Sequence, residues 1–213
     1  VSHKASATWT KKTGRTTLEI HPYAQWIEGF MLLVPTGAMQ TIRGHFQVWE
    51  YRQTTATIWG LDVDAAHQWS EHWRSAHQAS WLRGTDTARD EPLMMMPPPT
   101  INNQIAWNKG VWSWSLEHQR TAEQTRFPKY DIAVFIPTEN RTVDLDLSTP
   151  PSAYGLWHTR LEYQVKKQGN LQPKIGLSIR NATDLNYRNY LNRLRFYADD
   201  LGRSIQLYSI LKF

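Results

Sequence analysis

Alternation of apolar and polar positions is the dominant pattern in this chain. Trp157, Thr159, Leu161, Tyr163 and Val165 fall on one face, with His158, Arg160, Glu162, Gln164 and Lys166 on the other. A period of two describes a strand with one dry and one wet side. Residues 167–173 (KQGNLQP) read as a turn, after which Ile175, Leu177 and Ile179 resume the apolar face. The segment therefore predicts an antiparallel hairpin. Similar alternation recurs at Trp112, Trp114 and Leu116, at Val143, Leu145 and Leu147, and from Ile205 through Leu207 and Leu211 to Phe213. Further strands are expected over 16–20, 27–34, 40–50, 54–61 and 131–136, about ten in all.

Two segments have helical spacing instead. Between Thr183 and Leu201, Tyr187, Tyr190, Leu191, Leu194, Tyr197 and Ala198 form a stripe, with Thr183 and Gly202 as caps. Asp64 to Leu82 places Trp69, Trp73 and Ala76 on one helical face, with Asp62 or Asp64 as the cap. Between these segments, residues 92–99 (PLMMMPPP) allow neither helix nor central strand. This Met/Pro stretch is expected as a loop, either packed over the body or exposed as a binding flap.

The chain's 213 residues are enough for a single domain. At 40% hydrophobic and 20% charged, it has the composition of a folded protein. No apolar run approaches the length of a transmembrane helix. With no cysteine, disulfides, cysteine–metal sites and thiol chemistry are excluded. The net charge of +5 is uneven: residues 151–213 carry 10 basic and 4 acidic side chains. That basic third could meet phosphate, in nucleic acid or in an anionic lipid head group, or be a solvated surface. The first residue is Val1, and the chain reads as mature, with no leader left to interpret. Asn140 and Asn181 each open a glycosylation sequon.

Candidate chemistry is sparse. His67, His72 and His77 are spaced by five, which would fan them around a helix and argues against a metal site. Asp144 and Asp146 share a strand face as a carboxylate pair, but they alternate with Val143, Leu145 and Leu147 as a simple wet face would. Neither a nucleophile elbow nor a phosphate-cradling glycine loop occurs. The residues thus suggest a non-enzymatic protein without a cofactor. The 11 tryptophans, ten of them before residue 115, form either an aromatic core or an aromatic-lined groove for an apolar ligand, a sugar or stacked bases.

Six short motifs occur in the order found in the YceI-like family. Residues 20–28 (IHPYAQWIE) resemble its opening strand, and residues 37–46 (GAMQTIRGHF) its G-x-x-x-V-R-G-x-F motif. Thr57, Ile58 and Asp62 to Asp64 lead to residues 72–76 (HWRSA), similar to its H-L-R-S-A helix. Residues 141–147 (RTVDLDL), 179–185 (IRNATDL) and 201–210 (LGRSIQLYSI) are similar to its later strands. Residues 83–130 match nothing in that pattern and are expected to be an insertion or long loop within a single domain spanning 1–213.

The resemblance implies a mainly β fold: an antiparallel lipocalin-like barrel of about eight to ten strands, joined here by the two amphipathic helices and closed by the last strand. It also implies a periplasmic or secreted location and a long apolar ligand, an isoprenoid or lipid, held inside. Inward-facing residues expected to bind it are Trp112, Trp114, Phe135, Leu161, Tyr163, Leu177 and Ile179. The alternative is a nucleic-acid-associated or capsid-type β protein that uses the basic C-terminal third.

Overall fold

The computed structural model describes residues 1–41, 44–136, 139–146, 148–166 and 171–212. In chain order the strands are β1 (Ser2–Ser6), β2 (Trp9–Thr13), β3 (Thr16–Thr41), β4 (Gly44–Gln68), β5 (Trp73–Asp86), β6 (Glu91–Pro92), β7 (Thr100–Lys109), β8 (Trp112–Thr121), β9 (Asp131–Ile136), β10 (Arg141–Asp146), β11 (Tyr154–Gln164), β12 (Gln172–Arg180) and β13 (Ser204–Lys212). Eleven of them form one antiparallel sheet in the order β1-β3-β4-β5-β7-β8-β11-β12-β13, with β2 also on β3 and β6 on β5. β9 and β10 form a separate hairpin. The expectation of a mainly antiparallel β protein holds. Closure does not, because β1 and β13 end the path unpaired with each other and the sheet is open. Residues 83–130 contain the connection that follows β5 and then β7 and β8, two interior strands of the sheet.

The two expected helices are absent. Residues 64–82 are the end of β4, a tight turn and most of β5. Ser75, His77, Ala79 and Trp81 pair in register with His67, Ala65, Val63 and Leu61 of β4, with Trp73 continuing their face, and tryptophan favours strands. Residues 183–201 are irregular apart from a 3-10 turn at Arg193–Phe196. Asparagine and aspartate side chains take the backbone groups that a helix would need. Asn189 Oδ1 accepts from Leu191 N, Asn192 Oδ1 from Leu194 N, and Asp200 Oδ2 from Asn189 N. Leu194, expected on a buried stripe, is 64% exposed.

β3 and β4 pair from Thr16↔His67 to Thr41↔Gly44. At about 3.3 Å per residue β3 is roughly 85 Å long. A bulge between Glu28 and Phe30 leaves Gly29 unopposed with φ of 73°, a conformation glycine adopts without strain. The extra residue reverses the alternation. Phe30, Leu32 and Val34 thereby join the face of Ala56 and Ile58. Leu93, Met96 and Tyr130 cover them from the connecting segments, making a small apolar core at this end of the sheet.

Candidate functional site

Register fixes which side chains share a face. Trp73, Trp107, Trp114, Leu161, Leu177 and Leu207 lie side by side across β5, β7, β8, β11, β12 and β13. The next row runs Ile105, Leu116, Thr159, Ile179, Ile205. Towards the other edge the same face carries Ile20, Val63 and Ala79, then Pro22, Leu61 and Trp81. These side chains are not covered: Trp73 is 38% exposed, Leu161 40% and Leu207 75%. Exposed apolar patches this wide mark surfaces that a protein partner or a membrane covers.

The opposite face is polar. Gln104, Glu117, His158, Arg160, Ser178, Arg180 and Gln206, from five strands, line a cavity of about 300 Å³. Glu19, His21, Asp62, Asp64, Gln78 and Asn102 line a second, of about 310 Å³. Hydrogen bonds knit this face together: Ser80 Oγ donates to Asp62 at 2.7 Å and Gln78 Nε2 to Asp64 at 2.8 Å. Glu162 accepts from the Tyr208 hydroxyl at 2.7 Å and from Lys174 Nζ at 3.1 Å, linking β11, β12 and β13.

Aromatic side chains mark both ends of the apolar face. Trp73, Trp107, Trp112, Trp114 and Tyr163 cluster near the short turns that join β4 to β5 and β7 to β8. Trp26, Trp59, Trp81 and Trp157 stand towards the end with the long connections, where Trp59 and Trp81 meet edge to face at 4.9 Å. Trp73 and Trp81 are eight residues apart on β5, about 27 Å along the strand.

The long connections fold over the polar side at that end. The Met/Pro segment packs against the body: Leu93 is buried and its N–H donates to Gly84 O at 3.1 Å. Gln124 Nε2 donates to Met96 O at 2.8 Å. The connection after β12 joins them, with Arg195 Nη1 3.6 Å from Met95 Sδ. Asn181 anchors this connection. It is buried, its N–H donates to His158 Nδ1, and its side chain bonds Leu185 N, Leu185 O and Leu201 O. The Asn181 amide is therefore engaged and not displayed as a glycan acceptor.

Six of the seven expected ligand-binding residues are brought together. Trp112, Trp114, Leu161, Tyr163, Leu177 and Ile179 are neighbours on β8, β11 and β12. They share the exposed apolar face, while the two polar cavities open on the other. Phe135 lies on β9, outside this group, and its side chain is outside the described residues. Sequence reasoning passed over the polar-face groups Glu117, His158, Arg160 and Arg180. Their signal was the same alternation, assigned to a wet exterior. Among the described residues no cluster of three metal-ligating side chains occurs.

No protein-family model matches the chain, and no curated protein matches it in sequence. Solved structures do match in fold. One is the copper transporter OprC, with a TM-score of 0.75 and 16% identity over 99% of this chain and 30% of that one. Another is the ferripyoverdine receptor of the outer membrane of Pseudomonas aeruginosa, with a TM-score of 0.63 and 11% identity over 99% of this chain and 27% of that one. The FrpB iron transporter from Neisseria meningitidis gives 0.64 and 11% over 98% of this chain and 31% of that one. The chain thus spans about 30% of the length of the structures it matches. These likenesses overturn the YceI-like resemblance. The motifs that carried it fall elsewhere: the described residues of 37–46 are the last of β3 and the first of β4, and residues 72–76 enter a strand, not a helix.

Proposed function

We propose that this sheet is part of the wall of a transmembrane β-barrel in a bacterial outer membrane, through which a small polar or charged solute is bound and passed. The observation that carries the reading is the separation of faces across consecutive strands: mainly exposed Trp, Leu and Ile on one, where His77, Asn103 and His118 form a single polar row, and paired polar groups around cavities on the other. An outward apolar band flanked by aromatic girdles, with a polar interior, is what a strand needs to cross lipid. With strands tilted by 35–45°, the distance from Trp73 to Trp81 becomes about 20 Å of height, close to the thickness of such a band. The short turns then face the periplasm, and the long connections and the far end of the β3–β4 ribbon face outward.

The neighbours' names speak of copper, ferripyoverdine and iron, small solutes rather than long apolar chains. Glu117, His158, Arg160 and Arg180 suit a polar cargo and would repel an isoprenoid. The proposed role is therefore non-enzymatic, and outer-membrane rather than periplasmic or secreted. Single cysteines test the orientation. In liposomes, cysteines replacing Arg160 and Ser178 should react with a water-soluble maleimide, while those replacing Leu161 and Leu177 should not. Equal labelling of both pairs would overturn the reading.

A further inference from the structure

We infer that the apolar face holds a site for one phosphorylated lipid, its acyl chain in a groove over β1, β3 and β4 and its phosphate between Arg83 and Arg126. The inference rests on the membrane orientation proposed above. On a face that carries mainly Trp, Leu and Ile, with His77, Asn103 and His118 in a row between them, the residues Ala5, Ala7, Pro22 and Ala24 are small. They leave a groove of about 720 Å³ walled by Trp59 and Trp81. Its lining is almost wholly apolar, and it runs along the face rather than through the sheet.

An arginine stands at one end of the groove. Arg83 lies two residues beyond Trp81 on the same face of β5, with its guanidinium carbon 5.9 Å from the centre of the Trp59 ring. Across Trp81, at the edge of β5 beyond its pairing with β7, a second hollow of about 100 Å³ is lined by Arg83 and Arg126 together with Gln124, Met96 and Pro99 of the connections. Arg126 Nη1 is itself buried, with no hydrogen-bond partner among the described residues. Burial and the nearby charge of Arg83 both pull the Arg126 pKa below that of an ordinary guanidinium, against the opposing pull of Asp90. The two guanidiniums that line the hollow, with Asp90 acting on Arg126 from outside it, leave it net positive. A phosphate offers the charge and acceptor oxygens such a pair takes. The hollow sits at the aromatic rim, where lipid head groups lie and acyl chains begin. Groove, aromatic wall and arginine pair thus follow the order of tail, glycerol level and phosphate in one lipid.

Native mass spectrometry of the intact protein in detergent, titrated with phosphatidylglycerol, tests this. The uncharged diacylglycerol of the same chains is the comparison. Wild type should retain phosphatidylglycerol in preference to diacylglycerol. Arg83→Gln with Arg126→Gln should lower its retention by about ten- to thirtyfold and leave diacylglycerol unchanged. Ala24→Trp, which fills the groove from the lipid side, should lower retention of both. Inorganic phosphate should not displace the bound lipid at millimolar concentration. Equal retention of the two lipids by wild type and by the arginine variant would overturn the site, as would displacement by free phosphate. Quenching of tryptophan fluorescence by brominated lipid separates the two levels. If quenching is strong and the head group makes no difference, only the site fails. If quenching is absent, the membrane orientation fails and the site with it.

Discussion

Single residues hold the connections in place. Asn181 stands at φ of 47°, in a region where asparagine is tolerated and alanine is strained, and its side chain makes bonds to Leu185 and Leu201. Asn181→Ala should loosen residues 181–203 by about 2–3 kcal/mol, since it loses bonds worth about 1 kcal/mol each and adds strain. Asn181→Gly, free of the strain, should cost less. Hydrogen exchange confined to this segment would measure both; equal exchange in the two variants would show that the backbone angle contributes nothing. Asp184 adds a dependence on pH. Its carboxylate accepts from the backbone N–H of Arg203 and from its guanidinium, and these hold its pKa below the usual aspartate value. A depressed folded pKa means that the tether is fully present above about pH 4 and is lost as pH falls through the lower folded value. Clipping of this connection by pepsin should therefore accelerate with acidification in wild type. Asp184→Asn should be clipped more readily at the upper end of the range and respond less to acid.

Strands show where one residue constrains its neighbours. A Cβ on Gly176 would collide with Cζ of Tyr208, whose ring crosses the glycine from β13 to reach Glu162 on β11. Gly176→Ala should displace the ring, break the link across three strands and cost about 1–3 kcal/mol. The urea midpoint of the refolded protein should fall accordingly, and Tyr208→Phe should reproduce only the hydrogen-bond part of the loss. The hairpin of β11 and β12 was readable in the sequence because its alternation is strict and uninterrupted on both arms. Residues 64–82 were not, because Trp69, Trp73 and Ala76 fit a helical face as well as two strands around a turn. Residues 183–201 deceived for another reason. The Tyr and Leu spacing is helical, but six Asn and Asp side chains in that interval compete for the backbone, and a hydrophobic stripe carries no record of that competition. The six grouped site residues were legible as a shared face, whereas their environment was not. Period-two alternation is identical whether the apolar side faces a core or a lipid, so the side on which water lies cannot be read from it.

At the scale of the whole molecule, the environment of each face becomes a measurable gradient. In water, a charge placed anywhere on an already exposed face would cost little. In a bilayer the cost depends on depth, at about 2–4 kcal/mol for arginine at the midplane and about 0–1 near the interfaces. Val63 lies in the row of Ile20, Ala79 and Ile101, between the two aromatic ends. Thr57 is on the same face, paired with Trp26 at the outer rim. Gln78 points to the polar cavity. Val63→Arg should therefore destabilise the protein folded in lipid by about 2–4 kcal/mol, Thr57→Arg by less than about 1, and Gln78→Arg by an amount independent of the lipid. Unfolding in urea from bilayers of two thicknesses would separate the three. The Val63 penalty should grow in the thicker bilayer, because the arginine must reach further to water, whereas the other two should hardly change. If Val63→Arg and Thr57→Arg cost the same in both bilayers, depth has no meaning on this face, and the exposed tryptophans and leucines would need a protein partner instead of lipid to cover them.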